Sequence, residues 1–226
     1  MNFTRRQRSA RGSGQELRAE ILTATKELLA RTGSVEAVSI REVGKIVGVS
    51  APSIYRHFSD KDQLIGAVVA QVFEDLEAVM RAAGDPADSP MERLRNQGLA
   101  YVRFAIEHPE QYRLATAPGE NAGAVDQVLG SGAFTHFAAA VSDCMAAGLI
   151  EPGDPIPVVL ELWASAHGVA SLLIAKPYLP WGDLETVADR VLRAACVGRV
   201  VIDNVLGEDA TPADVTQWVA EQRQRR

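Results

Sequence analysis

Chemistry in this 226-residue chain is confined to a few places. It has four histidines, His57, His108, His136 and His167. None stands in the H-E-x-x-H spacing that puts two imidazoles on one helical face for zinc, and no G-x-S-x-G nucleophile turn accompanies them. Gly130-Ser131-Gly132 lacks the flanking strand that a phosphate-cradling loop needs. With no catalytic constellation, metal site or cofactor motif, an enzyme is disfavoured. The run Tyr55-Arg56-His57, with Lys61 close behind, offers donors suited to phosphate oxygens and base edges. A second set, Tyr101, Phe104, Phe134, Phe137, Met145, Trp163 and His167, combines aromatic bulk with a few polar groups, as small-molecule pockets do. Aromatics at helical spacing also serve simply as core.

The elements around Tyr55 are strongly signalled. Ser39 stands three residues ahead of Glu42, the capping-box spacing, so a helix is predicted from Ile40 with Val43 and Val47 on its inner face. Gly48 ends it, and Gly48-Val49-Ser50 is the turn. Ser50 is the predicted N-cap of a second helix, Ala51 to His57, which tolerates Pro52 because it falls in the first turn. Ile54 and Phe58 face inward, while Ala51, Pro52, Ser53, Tyr55, Arg56 and His57 face out. Gly44 sits in the middle of the first helix, where it costs about 1 kcal/mol relative to alanine. A close crossing by the next helix would account for it. This is the pattern of a helix-turn-helix, whose second helix enters the DNA major groove.

The rest of the chain also reads as helical. Gln15 to Arg31 carries Leu17, Ile21, Ala24 and Leu28 at helical spacing. Met1 to Gly14, with Arg5, Arg6, Arg8 and Arg11, reads as a flexible basic arm, either a phosphate or minor-groove contact or a plain tail. A long helix follows from about Ser59 to Ala83, with Leu64, Val68, Val72, Leu76 and Val79 inside. Further helices are predicted at Met91 to Glu107, Pro109 to Thr116, Ala133 to Ala147, up to Ala175, Asp183 to Leu206 and Thr211 to Arg223. Pro118 to Gly132 is a loop or weak helix. Small residues such as Ala164, Ala166, Gly168, Ala194 and Gly198, together with apolar residues on more than one face, imply that the two long helices after Pro155 need two partners each.

Charge is divided unevenly. Residues 1–59 carry ten Arg and Lys against five Glu, leaving −11 on the remainder of a chain whose net charge is −6. A basic front and an acidic body suit a local DNA footprint. Cys144 and Cys196, 52 positions apart, fit buried thiols in a reducing cytoplasm. The most apolar run, Val158 to Ala175, includes Glu161, His167 and Gly168 and is a poor membrane span. A soluble, cytoplasmic protein is expected.

The stretch GVSAPSIYRHFSDKDQL resembles the end of the DNA-binding domain of the TetR family of transcriptional regulators, a likeness specific over about Gln15 to Leu64 and looser beyond. Trp163-x-x-x-His167-Gly168 also resembles a Trp-His-Gly signature of some subfamilies. The resemblance implies an all-α protein. Residues 15–62 would form the three-helix DNA-binding domain, and 63–226 a larger helical domain for effector binding and dimerisation. It implies DNA contacts by Arg41, Ser50, Ala51, Pro52, Ser53, Tyr55, Arg56, His57 and Lys61, with Arg41 addressing either a guanine or a phosphate. Partners would be a palindromic operator, a small effector and a second copy of the chain. The competing classes are an architectural or nonspecific DNA-binding protein, and a helical ligand-binding protein or enzyme without DNA affinity.

Overall fold

The computed structural model describes residues 13–116 and 131–225. Within them every regular element is helical. These are α1 (Ser13–Thr32), α2 (Ile40–Val47), α3 (Ala51–Tyr55), α4 (Lys61–Gly84), α5 (Pro90–Glu107), α6 (Pro109–Ala115) and α7 (Gly132–Ala146). They are followed by α8 (Pro155–Ala175), α9 (Leu184–Val201), which runs into one π-helical turn at Ile202–Leu206, and α10 (Pro212–Gln224). The all-α class expected from the apolar spacing is what the chain adopts. Ser13 and Gly14 already belong to α1; the rest of the expected basic arm, and most of the stretch from Pro118 to Gly132, lie outside the described residues.

The chain divides into two compact units. One draws its described residues from Met1–Asp75 and His108–Gln127, the other from Leu76–Glu107 and Val128–Arg226. In the first, Ile21, Leu28, Val43, Ile54, Phe58, Leu64, Val68 and Val72 are buried, and α1 packs against α2 and α6. Thr25 is also fully buried, its hydroxyl donating to the Ile21 carbonyl at 2.7 Å, which spares the core an unpaired polar group. The Arg18 guanidinium lies 5.2 Å from the centre of the Phe58 ring.

In the second unit α5 packs against α7, α8 and α9, and α8 against α7 and α9. A Cβ on Gly98 of α5 would lie 3.2 Å from Leu192 Cδ1 of α9, so these helices meet where α5 has no side chain. By length and composition α8 could cross a membrane, with mean hydropathy 1.7. Its buried residues, among them Val159, Leu162, Ala166, Ala170 and Leu173, instead form protein core. One expected core position is displaced: Val79 is 41% exposed while Met80, four residues after Leu76, is buried. Helical spacing allows either three or four residues to the next inward position, and here the neighbouring helix selects four.

Candidate functional site

The corner at α2–α3 is built almost entirely by local chemistry. Ser39 Oγ accepts the Glu42 N–H at 3.2 Å and opens α2. Gly48 stops it with φ 79°, a left-handed conformation that costs other residues a steric clash. The Gly48 and Val49 N–H groups both donate to the Gly44 carbonyl at 2.9 Å. A Cβ on Gly44 would lie 2.8 Å from the Val49 carbonyl oxygen and 3.5 Å from Ile54 Cδ1. The close approach that demands glycine is therefore made by the turn's own backbone, where the sequence pointed to the second helix.

That second helix is shorter than expected. It ends at Tyr55, because the His57 and Phe58 N–H groups both fold back onto the Ile54 carbonyl, at 2.8 and 3.0 Å, and tighten the chain into a turn. Arg56 and His57 therefore lie in the turn after α3. Ser50 precedes α3 in an extended conformation, but its hydroxyl makes no capping bond. It pairs with Ser53 Oγ at 3.0 Å, and Arg56 Nη2 donates to the same Ser53 oxygen at 3.3 Å. Three predicted contact residues are thus joined by one hydroxyl.

Tyr55 is 51% exposed although it adjoins the fully buried Ile54. Pro52, Arg56 and, on α2, Arg41 are exposed; Ala51, Ser53 and His57 are half-buried. Lys61 Nζ donates to the Glu36 carbonyl at 3.3 Å. At the start of α4, Asp60 Oδ1 accepts the Gln63 N–H at 2.7 Å, while Gln63 Oε1 accepts the Ser59 N–H at 2.5 Å. The Gln63 amide and the Ser59 hydroxyl hold the Asp60 carboxyl below its usual range. The Gln63 amide, in the first turn of α4, thus already serves an anion of the chain.

In the second unit three of the predicted effector residues form a hydrogen-bonded chain. Trp163 Nε1 donates to Tyr101 Oη at 3.1 Å, Tyr101 Oη lies 3.3 Å from His167 Nδ1, and His167 Nε2 lies 3.3 Å from Ser171 Oγ. The tyrosine hydroxyl accepts from the indole, and the two ring nitrogens of His167 face one hydroxyl each, Tyr101 on one side and Ser171 on the other. Burial pushes the His167 pKa down, in keeping with a neutral ring. Phe104 on α5 and Phe134, Phe137 and Met145 on α7 are buried.

Three residues were missed from sequence. Ser171 is one helical turn beyond His167, and Gln97 is one turn before Tyr101, a spacing that could have flagged both. Gln97 is buried and its Oε1 has no hydrogen-bond partner among the described residues, a cost that the sequence pattern does not announce. Glu77 is the third. Its Oε1 lies 3.0 Å from His136 Nε2, and its carboxylate fills the space where Gly132, at the start of α7, would carry a side chain. Burial raises the thiols of Cys144 and Cys196 to about 11, so both are protonated near neutral pH.

A helix-turn-helix with an exposed polar second helix, joined to a helical unit with a buried polar chain among aromatics, defines a class of two-part DNA-binding protein. Residues 21–68 match the family profile described as bacterial regulatory proteins, tetR family. Residues 94–195 match the tetracyclin repressor-like C-terminal domain. The chain belongs to the TetR family.

It is 30% identical over 117 residues to the transcriptional repressor KstR2 of Mycobacterium tuberculosis, covering 47% of this chain and 57% of that one. To the transcriptional activator FasR of Mycolicibacterium smegmatis it is 35% identical over 100 residues, covering 44% and 45%. The chain thus spans about half the length of the curated relatives it matches. A solved structure of a protein of unknown function from Rhodococcus sp. RHA1 superposes with a TM-score of 0.70 at 27% identity, covering 81% of this chain and 95% of that one.

Proposed function

We propose that this chain is a non-enzymatic, ligand-responsive transcriptional regulator in the cytoplasm. It binds a palindromic operator as a homodimer, acts by default as a repressor, and is released by a small apolar or amphipathic effector. The observation that carries the reading is the α2–α3 corner, where Gly44 and Gly48 present a short helix with Tyr55 exposed beside a fully buried Ile54. Activation is the second reading, favoured by the relative FasR, which is named as an activator.

Residues 15–62 are taken as the DNA-binding domain and 63–226 as the effector-binding and dimerisation domain. Ala51, Pro52, Ser53 and Tyr55 address base edges, the small ones through thymine methyl groups. His57 and Lys61 hold phosphates; Arg41 and Arg56 serve either role, and the Ser50–Ser53–Arg56 hydrogen bonds pre-order them. Tyr101, Trp163 and His167 form the polar end of the effector site, with Phe104, Phe134, Phe137 and Met145 its apolar lining. The outward apolar residues of α8 and α9, including Leu160, Leu172, Val191 and Val197, support a four-helix contact with a second copy. Effector binding would move α4, which runs without a break from one unit into the other, and change the spacing of the two α3 helices from the roughly 34–36 Å that successive major grooves require.

The test is a mobility-shift titration on the DNA flanking the protein's own gene, with excess nonspecific competitor. Tyr55→Ala should cost about 1–3 kcal/mol for each half-site while the protein stays folded and dimeric. Unchanged affinity would overturn the assignment of Tyr55, and equal affinity for competitor DNA would overturn specific regulation.

A further inference from the structure

Arg18 sits beside the α2–α3 corner with its charge unused. On α1 the residues one turn away from it, Gly14, Gln15, Ile21 and Leu22, include no acid, and Glu16 and Glu20, two positions away, face elsewhere around the helix. Among the described residues Arg18 makes no hydrogen bond or ion pair. Its guanidinium lies instead over the Phe58 ring, 5.2 Å from the centre, within reach of cation–π attraction. Phe58 is 1% exposed and its N–H is bonded to the Ile54 carbonyl, so the ring is a fixed platform. A guanidinium carries its five N–H donors in its own plane, and resting on a ring leaves them open to an acceptor.

The start of α1 meets the same corner. A Cβ on Gly14 would lie 4.0 Å from His57 Cε1, and Arg18 follows Gly14 by about one helical turn. His57 directly precedes Phe58, so both contacts of α1 fall on the turn after α3. Arg18 is exposed and His57 half-buried. Arg18 also lines a groove of about 420 Å³ between α1 and Gln71 of α4, so space remains beside it for a further group. The neighbouring donors are engaged: Lys26 holds Asp75 at 2.8 Å, Lys61 donates to the Glu36 carbonyl, and the Gln63 N–H serves Asp60.

We propose that Arg18 and His57 form a clamp for one phosphate of the DNA backbone, placing a DNA contact on α1, outside the helix-turn-helix; the inference rests on the DNA-binding reading above. A phosphodiester supplies the negative charge and paired oxygens that match the guanidinium fork. Because Phe58 already restrains the Arg18 side chain, binding costs it little further rotamer freedom. The contact fixes position and reads no base, so it acts alike on operator and unrelated DNA.

Anisotropy titrations of the full chain against the DNA flanking its own gene and against an unrelated duplex, over a series of potassium chloride concentrations, test the clamp. Arg18→Gln keeps a planar amide near Phe58 but removes the charge. It should weaken binding to both duplexes by a similar factor and reduce the slope of log K against log salt by about 0.9 per bound chain, whereas Arg18→Lys should keep the slope. Gln15→Glu leaves Arg18 on Phe58 and sets a carboxylate one turn away; it should lower the slope too, while the same charge at Thr23, about two turns further along α1, should not. Circular dichroism reports whether each variant folds. An unchanged slope in Arg18→Gln, or in Gln15→Glu should Arg18→Gln not fold, overturns the clamp and leaves the regulatory reading standing. Equal losses in Arg18→Lys and Arg18→Gln, or in the Gln15 and Thr23 variants, do the same. A wild-type chain that binds neither duplex at low salt overturns the DNA-binding reading itself and the clamp with it.

Discussion

At the scale of single residues, small groups decide large matters. Gly44 is required by a backbone oxygen, and backbone cannot rotate away as a side chain can. Gly44→Ala gains about 1 kcal/mol in helix propensity but loses about 1–3 kcal/mol to overpacking against the Val49 carbonyl. A net loss is expected, read as a lower urea midpoint with an unchanged slope. His167 supplies a pH effect with a definite sign. Its folded pKa is depressed by burial, so between that value and the ordinary 6.5 the unfolded chain binds more protons. The stability it contributes is full above pH 6.5 and is lost as pH falls toward the folded pKa. Thermal melts from pH 7.5 to 5 should show this slope, and His167→Gln should flatten it. The positions of Tyr55 and His167 on their helices were legible from spacing alone. The chain from Trp163 through Tyr101 to Ser171 was not, because it joins residues more than sixty positions apart.

At the scale of elements, helix ends were the most readable features, since caps act over three or four residues. Ser39, Gly48, Pro109 and Thr211 mark helix boundaries where their chemistry puts them. The end of α3 was misjudged by two residues, because the return of the His57 and Phe58 amides to Ile54 depends on where Phe58 is buried. The tie between α4 and α7 is a purely tertiary element. Gly132→Ala would place a methyl group where the Glu77 carboxylate lies and separate that carboxylate from His136. The carboxylate ends a flexible side chain, so the loss should stay below about 1 kcal/mol. It should vanish in a Glu77→Ala background, a coupling that a double-mutant cycle measured by thermal unfolding will show.

At the scale of the whole molecule, the chain is a basic front part and an acidic body joined through one continuous helix, α4. The sequence by itself determined the helical class, the order of the helices and the helix-turn-helix corner, because caps, turns and apolar periodicity are local and need no partner to be recognised, and the stretch GVSAPSIYRHFSDKDQL carried the resemblance to the family. Only the tertiary structure decided which of Val79 or Met80 turns inward, since a helix repeats every 3.6 residues and the choice belongs to its neighbour. It likewise decided that Gln97 would be buried with an oxygen that finds no partner among the described residues, and that no residue of α10 would be buried. Each of these depends on what distant parts of the chain bring, or fail to bring, alongside.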